Sequence, residues 1–284
     1  MAVAKIKKTT DGGQKKKASA RRSSSPRKNK KREIPDWVFY ICGALLSCFI
    51  LSVAYYTLFR PYFYRFRPCY GEKHYSICMP TGYSVYGIDI SRHQGDINWE
   101  LLKKGREEEK PLEFIYMKAT EGSDFTDSRF EENFKKAKEH GFIRGAYHYF
   151  SLHSSGSKQA DMFIKTVKLE KDDLPPVIDV EERPKNKDQF IKELKIFISK
   201  IESHYGVKPI IYSYKKYKEK YLSEPYFDKF QMWIAHYYVS RLDENIEWLM
   251  WQCSDRGDVM GIEENVDINI FNGSKEQLRS ILIK

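Results

Sequence analysis

Short apolar segments with the composition of β-strands alternate with helical segments from residue 85 to residue 284. The longest predicted helix, Lys187–Tyr205, carries apolar residues at helical spacing and ends at Gly206. Near-continuous apolar strands separated by helices are typical of a parallel sheet that is covered on both faces. Eight such strands predict a (β/α)8-type barrel in which some helices are reduced to loops. The predicted strands are Val85–Ser91, Phe114–Thr120, Ile143–Phe150, Pro176–Glu181, Pro209–Tyr214, Phe230–His236, Glu247–Ser254 and Val266–Phe271.

An open, doubly wound sheet is the alternative architecture for the same alternation. The nucleotide-binding form of that fold places a glycine-rich phosphate loop directly after the first strand. The segment that follows Val85–Ser91 reads RHQGDINW and is not rich in glycine. The sequence therefore favours the barrel over a nucleotide-binding sheet.

Two carboxylates lie two residues apart on the predicted strand Pro176–Glu181. Side chains alternate between the faces of a strand, so Asp179 and Glu181 point the same way. Two facing carboxylates interact, and the pKa of one rises relative to that of the other. One carboxyl can then donate a proton while its neighbour stays ionised. Two hydrated acids at the end of a strand would leave the same pattern in the sequence.

In a (β/α)8 barrel the catalytic residues lie at the carboxyl ends of the strands. The residues there are Asp89, Lys118, Glu121, Tyr147, Tyr149, Asp179, Glu181, Tyr212, Tyr214, Trp233, His236, Trp251, Gln252, Asp267 and Asn269. Acids from three separate strands predict a cluster at one rim, and acids among aromatic rings suit carbohydrate. The substrate-binding candidates are Tyr147, Tyr149, Tyr214, Trp233, Trp251 and Gln252. Packing inside the barrel is the alternative role for any single ring.

The formal net charge of +10 belongs to the N-terminal segment. Residues 1–36 contain thirteen Lys and Arg and three Asp and Glu, so the rest of the chain is neutral. A segment so poor in apolar residues predicts a disordered tail. Anionic lipid headgroups are candidate partners for this tail, and we expect no specific nucleic acid.

Residues 37–59, WVFYICGALLSCFILSVAYYTLF, contain no charged residue. About 20 apolar residues suffice to cross a bilayer, and aromatic residues at both ends are typical of membrane interfaces. The run therefore predicts a transmembrane helix rather than a cleaved signal peptide, whose apolar core is about 7 to 15 residues long. The basic tail should stay cytoplasmic, which places residues 60–284 in the periplasm or at the cell surface. We expect a juxtamembrane linker at 60–82 and a catalytic domain at 83–284.

Cys69 and Cys78 lie in a polar stretch that this topology places outside the cytoplasm, where disulfides form. Their short spacing predicts a local disulfide, and two free thiols are the alternative. Four histidines, His93, His148, His153 and His236, fall on different predicted strands and loops and lack the spacing of a metal site. We therefore expect neither a metal nor another cofactor.

Several segments, taken in order, carry a family resemblance. They are YGIDIS at 86–91, HQGDINW at 93–99, FIYMKATEG at 114–122, RGAYHYF at 144–150, DVE at 179–181, QCS at 252–254 and VDIN at 266–269. Their combination resembles glycoside hydrolase family 25, the N-acetylmuramidase-type lysozymes, over about residues 84 to 273. The tail and the apolar run lie outside this resemblance.

The resemblance implies an irregular, flattened barrel that cleaves the β-1,4 bond between N-acetylmuramic acid and N-acetylglucosamine in peptidoglycan glycan strands. By motif position, Glu181 would give its proton to the leaving oxygen. Asp179 would stay ionised and stabilise the developing positive charge, or orient the acetamido group of the substrate. Asp89 and Asp267 would line the same cleft and tune Glu181 by like charge.

The alternative function is a catalytically inactive, membrane-tethered module that binds peptidoglycan. The four carboxyls together favour an active hydrolase over this module. A tethered protein whose tail binds lipid or nucleic acid is a third interpretation, but it explains none of the cleft residues. The membrane anchor indicates an enzyme that acts on wall material near its own cell surface.

Overall fold

The computed structural model describes residues 34–59, 69, 71–108 and 111–284. The chain divides into two compact units, Met1–Phe63 and Tyr64–Lys284. In the first unit, helix α1 (Asp36–Ala54) continues into a π-helical stretch, Tyr55–Phe59. Residues 36–58 have a mean hydropathy of 2.2 and form a helix long and apolar enough to cross a membrane. The predicted tail before residue 34, and residues 60–68 and 70 of the predicted linker, lie outside the described residues.

The second unit is built on a closed barrel of eight strands. The described strands of this unit, including three outside the closed barrel, are in chain order β1 (Glu72–His74), β2 (Ile77–Met79), β3 (Tyr86–Ile90), β4 (Leu112–Glu121), β5 (Phe125–Thr126), β6 (Ile143–Tyr149), β7 (Val177–Asp179), β8 (Ile210–Tyr214), β9 (Met232–Ala235), β10 (Met250–Gly257) and β11 (Val266–Phe271). Around the barrel the order is β3, β11, β10, β9, β8, β7, β6 and β4, which pairs with β3 again. The short β5 pairs with the end of β4.

The last strand runs against its neighbours, so the prediction of an all-parallel barrel is wrong at this point. Strand β11 is antiparallel to both β10 and β3, whereas the other neighbouring barrel strands are parallel. A parallel connection needs a crossover of about a dozen or more residues, usually a helix. Only residues 258–265 join β10 to β11, and no helix lies among them. The short connection therefore makes β11 run antiparallel to β10.

Helices cover the outside of the barrel. They are α2 (Trp99–Glu108), α3 (Phe130–Glu139), α4 (Gly156–Thr166), α5 (Lys187–Tyr205), α6 (Lys215–Tyr221) and α7 (Lys275–Ser280). The bounds of α5 match the prediction, because the Asn186 side chain caps its first turn and Gly206 ends it in the left-handed conformation at φ 69°. Helix α6 was not predicted, because its Tyr- and Lys-rich sequence lacks an apolar stripe.

Alternation along the short strand β7 decides which side chains enter the barrel. Ile178 and Val180 pack into the larger core between the sheet and its helices, whereas Val177 packs into a second cluster inside the barrel. Asp179 and Glu181 share the inward face with Val177, as the period of two requires. Strand β7 ends at Asp179, so Glu181 lies just beyond the strand that was predicted to contain it.

A small hairpin precedes the barrel. Strands β1 and β2 are antiparallel, and a disulfide joins Cys69 to Cys78 with the Cα atoms 5.4 Å apart. Tyr75 in the turn is buried, and its carbonyl oxygen accepts a 2.9 Å hydrogen bond from the Asp258 amide. The hairpin is therefore held against the connection between β10 and β11. Cys253 is a free, buried thiol.

Candidate active site

A cleft of about 190 Å³ opens among the strand ends on the inward face of the barrel. Its lining residues are Asp89, Tyr147, Val177, Asp179, Glu181, Tyr212, Tyr214, Trp233, Tyr237, Gln252 and Asp267. The structure therefore brings all four predicted carboxyls together, with four of the six predicted substrate-binding residues. The predicted residues Tyr149 and Trp251 are not among those that line the cleft.

Trp251 faces away from the cleft, although it neighbours Gln252 in the sequence. Its ring is fully buried, packs against Tyr83 and Trp248, and donates a 2.8 Å hydrogen bond to the carbonyl oxygen of His236. Adjacent residues on a strand point to opposite faces, so only one of the pair could enter the barrel. The structure gives Trp251 a packing position, which does not support its predicted contact with substrate.

Asp267 reaches the cleft because β11 is antiparallel. It is the second residue of its strand, and it pairs in register with Asp89, which lies near the end of β3. In a parallel strand the second residue would lie at the opposite end of the barrel. The sequence therefore predicted the right residue for this rim from the wrong strand direction.

Two side-chain amides hold Asp89 in place. Its Oδ2 atom accepts hydrogen bonds from Gln252 Nε2 at 2.8 Å and from Asn269 Nδ2 at 2.7 Å. The other end of each amide is also bonded: Trp233 Nε1 donates to Asn269 Oδ1, and Gln252 Oε1 accepts from the hydroxyl of Tyr237. These contacts fix the orientation of both amides, so that each presents its N–H to the carboxyl.

Gln252 Oε1 accepts a second hydrogen bond, from the hydroxyl of Tyr212, at 2.8 Å. Tyr212 precedes the predicted site residue Tyr214 by two positions, so strand alternation could have selected it. Tyr237 follows β9 and lies in an irregular segment. No periodic signal in the sequence marks Tyr237, and sequence reasoning missed it.

The pKa values of the first carboxyl pair, Asp89 and Asp267, are both raised. Burial raises the pKa of Asp89 to about 6, against the two amide hydrogen bonds, which lower it. Burial and then the charge of Asp89 raise the pKa of Asp267 to about 9. Asp267 therefore retains its proton at neutral pH, while the amide hydrogen bonds favour the ionised form of Asp89.

The second pair, Asp179 and Glu181, is also shifted upward. Burial raises the pKa of Asp179 well above its ordinary range, and the charge of Glu181 adds to this. Burial likewise raises the pKa of Glu181, opposed by hydrogen bonds from Asp179 and the Tyr214 hydroxyl. Asp179 Oδ1 is buried and has no hydrogen-bond partner within the described part of the chain. Burial thus favours the protonated form of both carboxyls.

A lysine stands near this pair. The positive charge of Lys118 lowers the pKa values of both Asp179 and Glu181. Lys118 Nζ lies 2.7 Å from Glu121 Oε2 and 4.8 Å from the centre of the Tyr149 ring. Tyr149 thus lies close to the carboxyl pair without lining the cleft itself, and its pKa is raised by burial and then by the charge of Glu181.

Replacing Asp267 should change how stability depends on pH. The folded-state pKa of Asp267, about 9, lies above that of an unfolded aspartate, about 3.9, so the free energy of unfolding falls as pH rises through this window. Asp267→Asn removes this loss, and we expect the Tm of the variant relative to the original chain to increase steadily from pH 4 to pH 9. Thermal unfolding across this range measures the effect. The exposed Asp228→Asn is the control, and a Tm difference that stays constant with pH would contradict the assignment.

The cleft contains what acid-catalysed cleavage of a glycosidic bond requires. One carboxyl can keep a proton for the leaving oxygen, and an ionised neighbour can stabilise an oxocarbenium-like transition state. Aromatic rings and fixed amides supply surfaces for a sugar. Among the described residues, no group of three or more His, Cys, Asp and Glu side chains is arranged to hold a metal ion.

The sequence of the chain matches a family of known proteins. The family model for glycosyl hydrolases family 25 matches residues 88–262. The Escherichia coli K12 protein YegX is 41% identical over 223 residues, which cover 78% of this chain and 80% of YegX. Lysozyme M1 of Streptomyces globisporus is 32% identical over 213 residues, 69% of this chain and 71% of that protein.

A solved structure shows the same fold. The family 25 glycosyl hydrolase from Bacillus anthracis superposes with a TM-score of 0.64 at 33% identity, covering 74% of this chain and 99% of that one. The range matched by the family model contains Asp89, Asp179 and Glu181, and the resemblance seen in the sequence motifs is confirmed. The chain belongs to glycosyl hydrolases family 25.

Proposed function

We propose that the chain is a muramidase that hydrolyses the β-1,4 bond between N-acetylmuramic acid and N-acetylglucosamine in peptidoglycan. The observation that carries this proposal is the convergence of Asp89, Asp179, Glu181 and Asp267 in one cleft of a family 25 barrel. The relative named as a lysozyme supports the same reaction class. An enzyme of this kind is a glycosidase that breaks down cell-wall peptidoglycan.

Within this proposal, Glu181 is the general acid. It is less buried than Asp179, so it faces the substrate more directly, and burial shifts its pKa upward against the hydrogen bonds from Asp179 and Tyr214. Asp179, which lines the cleft, stabilises the positive charge that develops at the sugar, or accepts the acetamido N–H of the substrate. Asp89 and Asp267 hold a second proton close by and limit the net charge of the cleft.

Sugar binding is assigned to the aromatic and amide residues of the cleft. Tyr147, Tyr214 and Trp233 line it with Gln252, and Tyr149 adjoins the carboxyl pair. The exposed ring of Tyr214 is the best placed of these to pack against a sugar face, since Trp233 is almost fully buried. Trp233 acts instead through Asn269, which it orients toward Asp89.

The apolar helix is assigned as a membrane span. Its length and hydropathy support a single span at 37–59, and the basic excess in residues 1–36 supports a cytoplasmic N-terminus. The juxtamembrane linker at 60–82 and the hydrolase domain at 83–284 then lie outside the cytoplasm, in the periplasm or at the cell surface. Anionic lipid headgroups are the assigned partners of the tail.

The reaction is tested by incubating the detergent-solubilised full chain with purified peptidoglycan. Products are separated, and the sugar at each new reducing end is identified by mass spectrometry. New reducing ends on N-acetylmuramic acid are expected. Reducing ends on N-acetylglucosamine would identify a different bond, and tight binding without products would identify an inactive binding module.

Membrane orientation is tested with protease on intact spheroplasts that express the chain. The thirteen Lys and Arg of the tail should keep it on the cytoplasmic side of the membrane. We therefore expect protease added outside to remove the barrel domain and to leave the basic tail intact. Antibody tags at the two ends report each fragment, and a cytoplasmic protein is the control for intact membranes. Protection of the barrel together with loss of the tail would contradict the orientation.

A further inference from the structure

Six cationic side chains form a basic rim patch on two neighbouring segments. The patch consists of Arg183 and Lys185 from the connection between β7 and α5, Lys187 at the start of α5, and Lys216, Lys218 and Lys220 from α6. Five of the six are exposed, and Lys218 is half-buried. The muramidase assignment makes no use of these residues.

The patch adjoins the cleft through the chain itself. Arg183 follows Glu181 by two residues, and α6 begins directly after Tyr214, whose hydroxyl bonds to Glu181. The two segments are also joined to each other. The Tyr217 hydroxyl donates a 2.7 Å hydrogen bond to the carbonyl oxygen of Glu182, and Lys187 Nζ donates to that of Lys220 at 3.3 Å. The two segments that carry the cations therefore lie together at the rim, next to Glu181 in one segment and to Tyr214 in the other.

Acids lie near these cations, but none is in direct contact with them among the described residues. Within the described part of the chain, none of the six cations forms an ion pair. Three nearby acids are engaged elsewhere: Glu219 and Asp243 bind Lys215, and Glu224 binds Lys195. Glu182, which accepts a hydrogen bond from the Leu152 amide, and Asp188 are the acids next to the patch on its first segment. Residues 181–188 and 215–221 together hold seven Lys and Arg against four Asp and Glu, so the two segments carry a local excess of positive charge.

The cleft and the patch have opposite electrostatic character. Four carboxyls line the cleft, and any that are ionised repel an anionic substrate. In peptidoglycan the sugars of the strand are neutral, whereas the peptides attached to the lactyl group of muramic acid carry free carboxylates. A glycan strand in the cleft would extend such a peptide over the rim. Positive charge at the rim offsets the repulsion and orients the strand.

We propose that the basic rim patch binds the carboxylates of the peptides attached to muramic acid while the glycan strand occupies the cleft. This inference rests on the proposed muramidase function and adds a substrate preference to it. Peptidoglycan with free carboxylates is the preferred substrate over the same polymer with neutral peptides. Because the cations are exposed, this preference weakens as salt concentration rises.

The test compares Lys216→Gln/Lys218→Gln/Lys220→Gln with the original full chain on two forms of one peptidoglycan. One form keeps its carboxylates, and the other has them capped as methylamides. We expect kcat/KM of the triple variant to fall about tenfold on the free form and to change little on the capped form. The matched control is Lys165→Gln/Lys168→Gln/Lys171→Gln, which removes three charges before β7, at the other end of the barrel.

Binding is measured in parallel in the Glu181→Gln background, so that turnover does not consume the polymer. Sedimentation with each peptidoglycan should show the same preference and the same loss in the triple variant. Equal loss on both forms, or no loss on either, would overturn the inference. The proposed function is judged separately, because it fails if the original chain releases no muramic acid reducing ends from either form.

Discussion

Glu181→Gln should lower kcat by about 10²- to 10⁴-fold, the range that general acid catalysis contributes. Glutamine has nearly the same shape as glutamate and can still accept the hydrogen bond from the Tyr214 hydroxyl, but it has no acidic proton for the leaving oxygen. The loss should therefore appear in kcat with KM nearly unchanged, because the missing interaction belongs to the transition state. Release of reducing ends from peptidoglycan measures it.

Glu182→Gln is the matched control for this substitution. It makes the same chemical change at the next residue. In the original chain the Glu182 carboxylate accepts a 2.9 Å hydrogen bond from the Leu152 amide, and a glutamine oxygen can accept the same bond. We expect activity to stay within about twofold, as for a surface substitution of about 0.5 kcal/mol. If Glu181→Gln kept full activity, another group would have to be the proton donor.

Asp179→Asn should lower kcat by about 10²- to 10³-fold, which is the cost of removing one group that stabilises transition-state charge. The carboxyl is almost fully buried beside Glu181, so its ionised form acts in a site of low dielectric. Burial also makes that ionised form costly to the fold. The variant should consequently be at least as stable as the original chain at pH 8 while losing activity.

Activity and Tm measured on the same preparations distinguish this from misfolding. Asp228→Asn is a suitable control, because Asp228 is an exposed aspartate that does not line the cleft. A fall in both activity and Tm would show that Asp179 maintains the structure of the cleft. Unchanged activity would remove Asp179 from the mechanism and leave the charge stabilisation to Asp89.

Local patterns predicted the elements that build the barrel. Helix α5 and strand β11 have the predicted bounds, because an N-cap, a terminal glycine and an apolar period are all local signals. The carboxyl pair of β7 was identified in the same way, from a period of two along an apolar strand. These features depend on residues within a few positions of one another, so no tertiary contact is needed to recognise them.

The direction of β11 and the choice between adjacent residues on β10 were not available from local patterns. Trp251 and Gln252 are both compatible with a strand end, and only the register of β10 against β9 and β11 shows which one faces inward. Tyr237 reaches Gln252 from an irregular segment after β9 that no periodicity describes. Each of these depends on how the chain closes into a barrel.

The sequence by itself determined the family, the four carboxyls and the apolar helix, because each is written in short motifs or in composition. The tertiary structure alone decided that Asp267 pairs with Asp89, that two amides bind Asp89, and that Tyr217 of α6 contacts the carbonyl oxygen of Glu182. The physical reason is that these relations join residues far apart in the chain. Their pKa values and charges are set by burial and by neighbours that meet only when the barrel closes.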